Sequence, residues 1–174
     1  MSRETEGAET ESPILAPGTM VTVGLLCCTN LVSAIDRTAL SILLPPIREE
    51  LALSDTQLGL LTGIAFAVFY AIAGIPIARL ADRISRRFVI GVSVFAWSLM
   101  TVATGAANNF AQMFLARVGV AVGEAGAVPP AHSMVSDLFP PKRRAGVLAL
   151  HSAAGPLGTL IGLAVGGWLA TIVG

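Results

Sequence analysis

The chain has 174 residues, of which 54% are hydrophobic and 13% charged, with a mean hydropathy of +0.76. Soluble domains carry about 25% charged residues, so too little polar surface is present to cover a soluble globule. A formal net charge of +0, with no basic stripe interleaved with aromatics, leaves no basis for a nucleic-acid surface. The composition is that of an integral membrane protein built from apolar helices.

The first residues, 1–17, read "MSRETEGAETESPILAP" and place Glu4, Glu6, Glu9 and Glu11 against a single Arg3. A signal peptide opens with positive charge and a short apolar core, so this acidic stretch is expected to be a disordered tail on an uncleaved protein. Five apolar segments follow, at about 18–44, 55–79, 88–106, 110–138 and 145–173. Each is long enough to cross a hydrocarbon core, which takes roughly 20 helical residues.

In the first segment the adjacent Cys27 and Cys28 suit packing better than redox or metal chemistry. Pro45 and Pro46 are expected to stop this helix, since proline lacks the donor and clashes with the preceding turn. The stretch "IREELALSD" after them is amphipathic and expected near the membrane surface. Ser54 or Asp55 is placed to cap the second segment. Asn108 and Asn109 leave only a short link between the third and fourth segments, which predicts a tight antiparallel hairpin. Pro129 and Pro130 predict a kink or an unwound turn in the fourth, as a passive bend or a gate. His132 and His151 fall near the ends of the fourth and fifth, where packing or capping is the ordinary role. Gly158, Gly162 and Gly166 recur every fourth residue, a stripe along which another helix can approach closely, and Gly155-Pro156 predicts a bend.

Lys and Arg gather in two of the connections. Arg79, Arg83, Arg86 and Arg87 follow the second segment, and Lys142, Arg143 and Arg144 follow the fourth. Cytoplasmic loops are enriched in such residues, so the N-terminus and both basic loops are expected on the cytoplasmic side, with the cell inner (plasma) membrane as the setting.

Away from the ends of the apolar segments lie four charged residues: Asp36 and Arg37 in the first, Arg117 and Glu124 in the fourth. A charge near the bilayer centre costs about 2.5–3.5 kcal/mol on insertion scales, and such residues face a bundle interior or a water-filled cavity. Arg117 and Glu124 are two helical turns apart, hence on one face and roughly 10 Å apart along the axis. Counting from Met20 at 1.5 Å per residue puts Asp36 about 24 Å from the cytoplasmic side. The same count puts Arg117 about 20 Å up. An Asp36–Arg117 pair is therefore geometrically possible if the two helices meet, with Glu124 nearer the cytoplasmic half. Structural ion pairs alone would account for such residues, but buried pairs are poor stabilisers because desolvation offsets their attraction. A carboxylate held between burial and an arginine is suited to taking and releasing a proton.

The loop "ARLADRISRR", residues 78–87, resembles the signature G-x-L-A-D-R-x-G-R-[KR] of the major facilitator superfamily. Leu80, Ala81, Asp82, Arg83, Arg86 and Arg87 match, while Ala78 and Ser85 stand in place of the two glycines. A narrower resemblance, to the spinster branch of sphingolipid and lysophospholipid transporter-like proteins, rests on two stretches. One is "NLVSAIDRTAL"; the other is "RVGVAVGEAG" with "SDLFPPKRRAGVLAL", where Ala121 replaces a usual glycine. The resemblance covers about residues 31–167. It implies five transmembrane helices making up most of the N-terminal six-helix half of a major facilitator fold, in an all-α membrane protein.

The function so implied is secondary transport by alternating access, with substrate held near the midplane between two halves. Asp36 is then the protonation site and Glu124 a second proton-coupling carboxylate. Arg37 and Arg117 complete the polar network, and Arg117 is able to meet an anionic head group. Asp82, Arg83, Arg86 and Arg87 form the cytoplasmic gating signature, in a charge network with neighbouring helix ends. Partners would be a small amphipathic or anionic molecule, protons, the lipid bilayer and the other transporter half, with no cofactor and no metal.

Five helices fall short of one half, so transport is expected of a longer protein. The alternative is a truncated remnant or a helix-pairing module. An enzyme is disfavoured, as no H-E-x-x-H or nucleophile motif occurs. Drug efflux is weighed down because Gly155-Pro156 lacks the following Gly-Gly of the antiporter signature.

Overall fold

The computed structural model describes residues 17–173. The expected acidic tail, apart from Pro17, lies outside the described residues. The helices are α1 (Pro17–Glu50), α2 (Asp55–Gly59), α3 (Ala65–Arg83), α4 (Arg86–Gly105), α5 (Phe110–Ala125), α6 (Val128–Leu138) and α7 (Pro141–Val173). A single π-helical turn, Leu60–Ile64, joins α2 to α3. Among the described residues there is no strand, and five stretches are long and apolar enough to cross a membrane. Their outward faces carry exposed Leu25, Ile72, Phe95, Leu99, Leu115 and Leu160, as surfaces that meet lipid or further helices must.

The first helix overturns one expectation. It continues through Pro45 and Pro46 to Glu50. Both prolines lie on the exposed side, and two lost backbone bonds are offset by what anchors the turns beyond them. Ile47 and Leu51 pack on the cluster of Leu53, Leu61 and Met113, and Arg48 pairs with Asp55 at 2.8 Å. "IREE" is thus the last turn of α1, not a separate surface segment. The chain reverses at Ala52, which takes a positive φ of 49°.

Ser54 caps α2 with a full capping box, its hydroxyl accepting from the Gln57 N–H while the Gln57 side chain accepts from the Ser54 N–H. Asn109 caps α5 by accepting from the Gln112 N–H at 3.0 Å, which closes the short α4–α5 hairpin. The Pro129-Pro130 site is unwound rather than kinked. Helix α5 ends at Ala125, and α6 starts at Val128 with the prolines in its first turn, where their missing N–H groups cost nothing. By contrast α7 runs unbroken across Gly155-Pro156. Hydroxyls inside the helices, such as Thr29 on Leu25 and Thr38 on Ala34, donate to the carbonyl four residues back, so they stay satisfied without water.

Two tight helix pairs organise the bundle. Helix α1 packs most extensively on α7, and α4 on α5, with α3 also against α5. Glycine makes both close approaches possible. A Cβ on Gly162 would lie 2.9 Å from Thr38 Cβ, and one on Gly123 2.7 Å from Trp97 Cβ and 2.8 Å from the Trp97 backbone nitrogen. The stripe of Gly158, Gly162 and Gly166 therefore seats α7 on α1, as its spacing indicates. Cys27 packs against the apolar cluster of Val23, Leu26, Ala131, Val135 and Phe139 that ties α1 to α6.

Candidate functional site

The four membrane-embedded charges meet between α1 and α5 in two crossed pairs. Arg117 Nη1 donates to Asp36 Oδ2 at 3.2 Å. Arg37 Nε donates to Glu124 Oε2 at 2.9 Å, and its Nη2 donates to the same oxygen. The Asp36–Arg117 pair is buried, with side chains 11% and 6% exposed. In the other pair Glu124 is buried at 2%, whereas the Arg37 side chain is 48% exposed. Neighbours on α1 thus reach residues two turns apart on α5. The arginines cover the difference in depth, because each long side chain runs along the bundle toward its carboxylate. Glu124 accordingly belongs to the same cluster as Asp36 and is not isolated below it.

Phe66 stands between the two guanidinium groups, with the Arg37 carbon 4.8 Å and the Arg117 carbon 5.8 Å from its ring centroid. A cation over an aromatic face is attracted by the ring quadrupole, so Phe66 holds both arginines in place without neutralising them. The π-helical turn precedes it closely, and such a turn rotates the helix face that follows. Phe66 and its stacking neighbour Tyr70, with centroids 6.0 Å apart, were not singled out from the sequence. Their signal was the aromatic spacing i, i+4 on the second segment.

The exposed side of Arg37 opens on a cavity of about 1280 Å³. Its wall combines polar Asn30, Ser33 and Thr38 with apolar Phe66, Leu160 and Leu163. Such a wall has one cation, several hydrogen-bonding groups and a wide apolar remainder. It suits a molecule with an anionic end and an uncharged body.

The basic loop is arranged differently. Arg86 pairs with Asp137 at the end of α6, while Asp82, Arg83 and Arg87 are exposed and make no ion pair among the described residues. Asp137, five residues before the basic run at 142, was not read as a partner. Among the described residues no cluster of His, Cys, Asp and Glu is able to hold a metal ion.

Residues 26–174 match the family model of the Major Facilitator Superfamily, and the chain belongs to that family of membrane transporters. Its relatives include an MFS-type efflux pump of Mycolicibacterium smegmatis, 41% identical over 87% of this chain and 35% of the relative. They also include a probable L-galactonate transporter of Escherichia coli, 35% identical over 79% of this chain and 30% of the relative. Among solved structures, a bacterial homologue of the human lysosomal transporter spinster, inward-facing and occupied, superposes with a TM-score of 0.84. It is 43% identical over 90% of this chain and 34% of that one. The spinster-like resemblance of the helix-one and helix-four stretches therefore extends to the fold, that of the N-terminal part of a major facilitator protein. The chain spans about a third of the length of these relatives.

Proposed function

We infer that this chain is the N-terminal part of a proton-coupled secondary transporter that moves an amphipathic or anionic small molecule by alternating access. The observation that carries the reading is the pair of crossed carboxylate–guanidinium bridges, with Arg37 facing the large cavity. Helix α1 leans on α7, and α5 on α3 and α4, so these bridges are the polar link between two packed groups of helices. Protonating Asp36 or Glu124 removes the negative partner and frees an arginine. A freed Arg37 then meets an anionic substrate in the cavity, and the link between the helix groups weakens. Charge state and helix arrangement are coupled in this way.

The two basic loops support a cytoplasmic N-terminus in a cell inner membrane. Asp82, Arg83, Arg86 and Arg87 act at that face, with the Arg86–Asp137 bridge latching α4 to α6. An anionic substrate class is supported by Arg37 and by the kinship to a probable galactonate transporter. The kinship to an efflux pump leaves export open, so the absent Gly-Gly after Gly155-Pro156 counts little against it.

The test is uptake driven by a pH gradient into liposomes holding the complete transporter, with L-galactonate and an anionic lysophospholipid as probes. Asp36→Asn is expected to abolish the gradient dependence while the protein remains folded. Unchanged gradient-driven uptake would remove Asp36 from the coupling site.

A further inference from the structure

Beside Glu124 a second and far smaller cavity lies between α1, α4, α5, α6 and α7, with Asn30, Ser33 and Val128 shared with the wall of the large one. It offers the centre of a water-sized sphere about 10 Å³, close to the smallest space that holds one water molecule. Two of its lining residues present polar atoms that are buried and have no hydrogen-bond partner among the described residues, Glu124 Oε1 and His151 Nδ1. The residues are 2% and 4% exposed. Leaving such a group unpaired in a buried place is costly, and here two residues that carry one border the same water-sized space.

The cluster continues outward. The His132 ring, on the exposed side of α6, meets the His151 ring edge to face, with centroids 5.4 Å apart and planes at 79°. Asn30 Nδ2 donates to the His151 backbone carbonyl at 2.7 Å, which fixes the register of α7 on α1 at this level. An exposed histidine, a buried histidine, a water-sized space and a buried carboxylate are therefore grouped where α5, α6 and α7 meet beside the charge cluster.

We propose that the small cavity binds one water molecule joining Glu124 Oε1 to His151 Nδ1, and that His132, His151 and this water relay protons between the basic-loop side and Glu124. The inference rests on the proton-coupled reading given above. In the inward direction His132 takes a proton from solvent at a ring nitrogen and passes one to His151. As His151 accepts it, Nδ1–H releases its own proton to the water, and the water gives one to Glu124 Oε1. Each carrier ends with as many protons as it began with, His151 as its other tautomer, and the carboxylate becomes the neutral acid; release runs the same steps backwards and restores the first tautomer. Histidine suits the task because its ordinary pKa lies near neutrality. The groups facing Glu124 are Arg37, Asp36 and Ser33 from α1 and Tyr70 from α3, and the group facing His151 is His132. Arg37 holds Oε2, and the Ser33 hydroxyl, which also lines the small cavity, is the other donor beside the carboxylate that the water joins at Oε1.

The experiment is a pH jump on the complete transporter in lipid, followed by time-resolved infrared absorption of the protonated carboxyl band that Glu124→Gln removes. His151→Phe is expected to slow the rise of that band roughly 100-fold or more, the low end of what a positioned proton-transfer group supplies, with little change in its midpoint. His132→Ala is expected to slow it too, and imidazole in the medium to restore His132→Ala but not the buried His151→Phe. Should His151→Phe fail to fold, His151→Asn is read in the same way. Wild-type rates in both histidine variants overturn the relay and leave the coupling role of Glu124 standing. If no titrating band is lost in Glu124→Gln, the proton-coupled reading falls and the relay falls with it.

Discussion

Arg37 reaches Glu124 through two hydrogen bonds to a single oxygen, Oε2, while Oε1 of the same carboxylate is buried without a hydrogen-bond partner among the described residues. Glu124 is thus held by a cation that also borders the large cavity, and it shares the wall of the small cavity with His151. The neighbouring Asp36–Arg117 bridge has no such opening, since both its side chains are buried.

This difference makes the two carboxylates unequal in stability. Asp36→Ala leaves Arg117 buried and charged, because arginine does not lose its proton in proteins. Breaking a buried pair in this way costs about 3–5 kcal/mol. Glu124→Gln leaves Arg37 free to hydrate in the cavity, and its cost is that of about one hydrogen bond, roughly 1 kcal/mol. Unfolding of the two variants in mixed detergent measures the gap, and equal losses would contradict the assignment.

Gly123 lets α5 lie against α4. Gly123→Ala forces its Cβ onto the Trp97 backbone, at 2.8 Å from the nitrogen, and overpacking of this kind costs about 1–3 kcal/mol. Gly91→Ala, on the same helix pair but with nothing within 4 Å, is expected to gain up to about 1 kcal/mol from helix propensity. Opposite signs in thermal stability, with altered Trp97 fluorescence in the Gly123 variant alone, are the predicted outcome.

At the turn after α1, Ala52 occupies the left-handed region at φ 49°, which costs an L-residue roughly 1–2 kcal/mol. Ala52→Gly relieves that strain, less the extra freedom glycine has in the unfolded chain, for a net gain of about 0.5–1 kcal/mol. A lower melting temperature in Ala52→Gly would show that this turn is not strained.

The Arg86–Asp137 bridge is partly exposed, at 27% and 66%, and such pairs are worth roughly 0–1 kcal/mol. A double-mutant cycle of Arg86→Gln and Asp137→Asn is expected to give a coupling energy in that range. In the complete transporter the same variants are expected to change the balance of inward- and outward-open states, read by distance measurements between spin labels, more than they change stability.

Much of this arrangement was readable before any coordinates. Long apolar runs, one short Asn-Asn link and two basic loops set out five spanning segments, and a count of helical rise put Asp36 level with Arg117. What escaped is what depends on neighbours. Proline rules alone end α1 at Leu44, but packing of Ile47 and Leu51 carries it on to Glu50. Helical spacing offered an Asp36–Arg117 pair but no partner for Glu124, whose bridge depends on the reach of Arg37 across to α5. Gly119 and Gly123, four residues apart in "RVGVAVGEAG", carried a packing signal as plain as the stripe on α7. Phe66 lay in an apolar run, and its i, i+4 spacing with Tyr70 does not distinguish an aromatic that faces two guanidinium groups from one that faces lipid.

The central claim, that Asp36 and Glu124 exchange protons as the helices rearrange, is tested most directly by counting protons. In proteoliposomes of the complete transporter with a pH dye trapped inside, uptake of a transported probe such as L-galactonate is expected to move protons across the membrane. With Asp36→Asn and Glu124→Gln combined in a folded protein that still binds the probe, no proton movement is expected. Proton movement in the double variant equal to that of the unaltered protein would contradict the account.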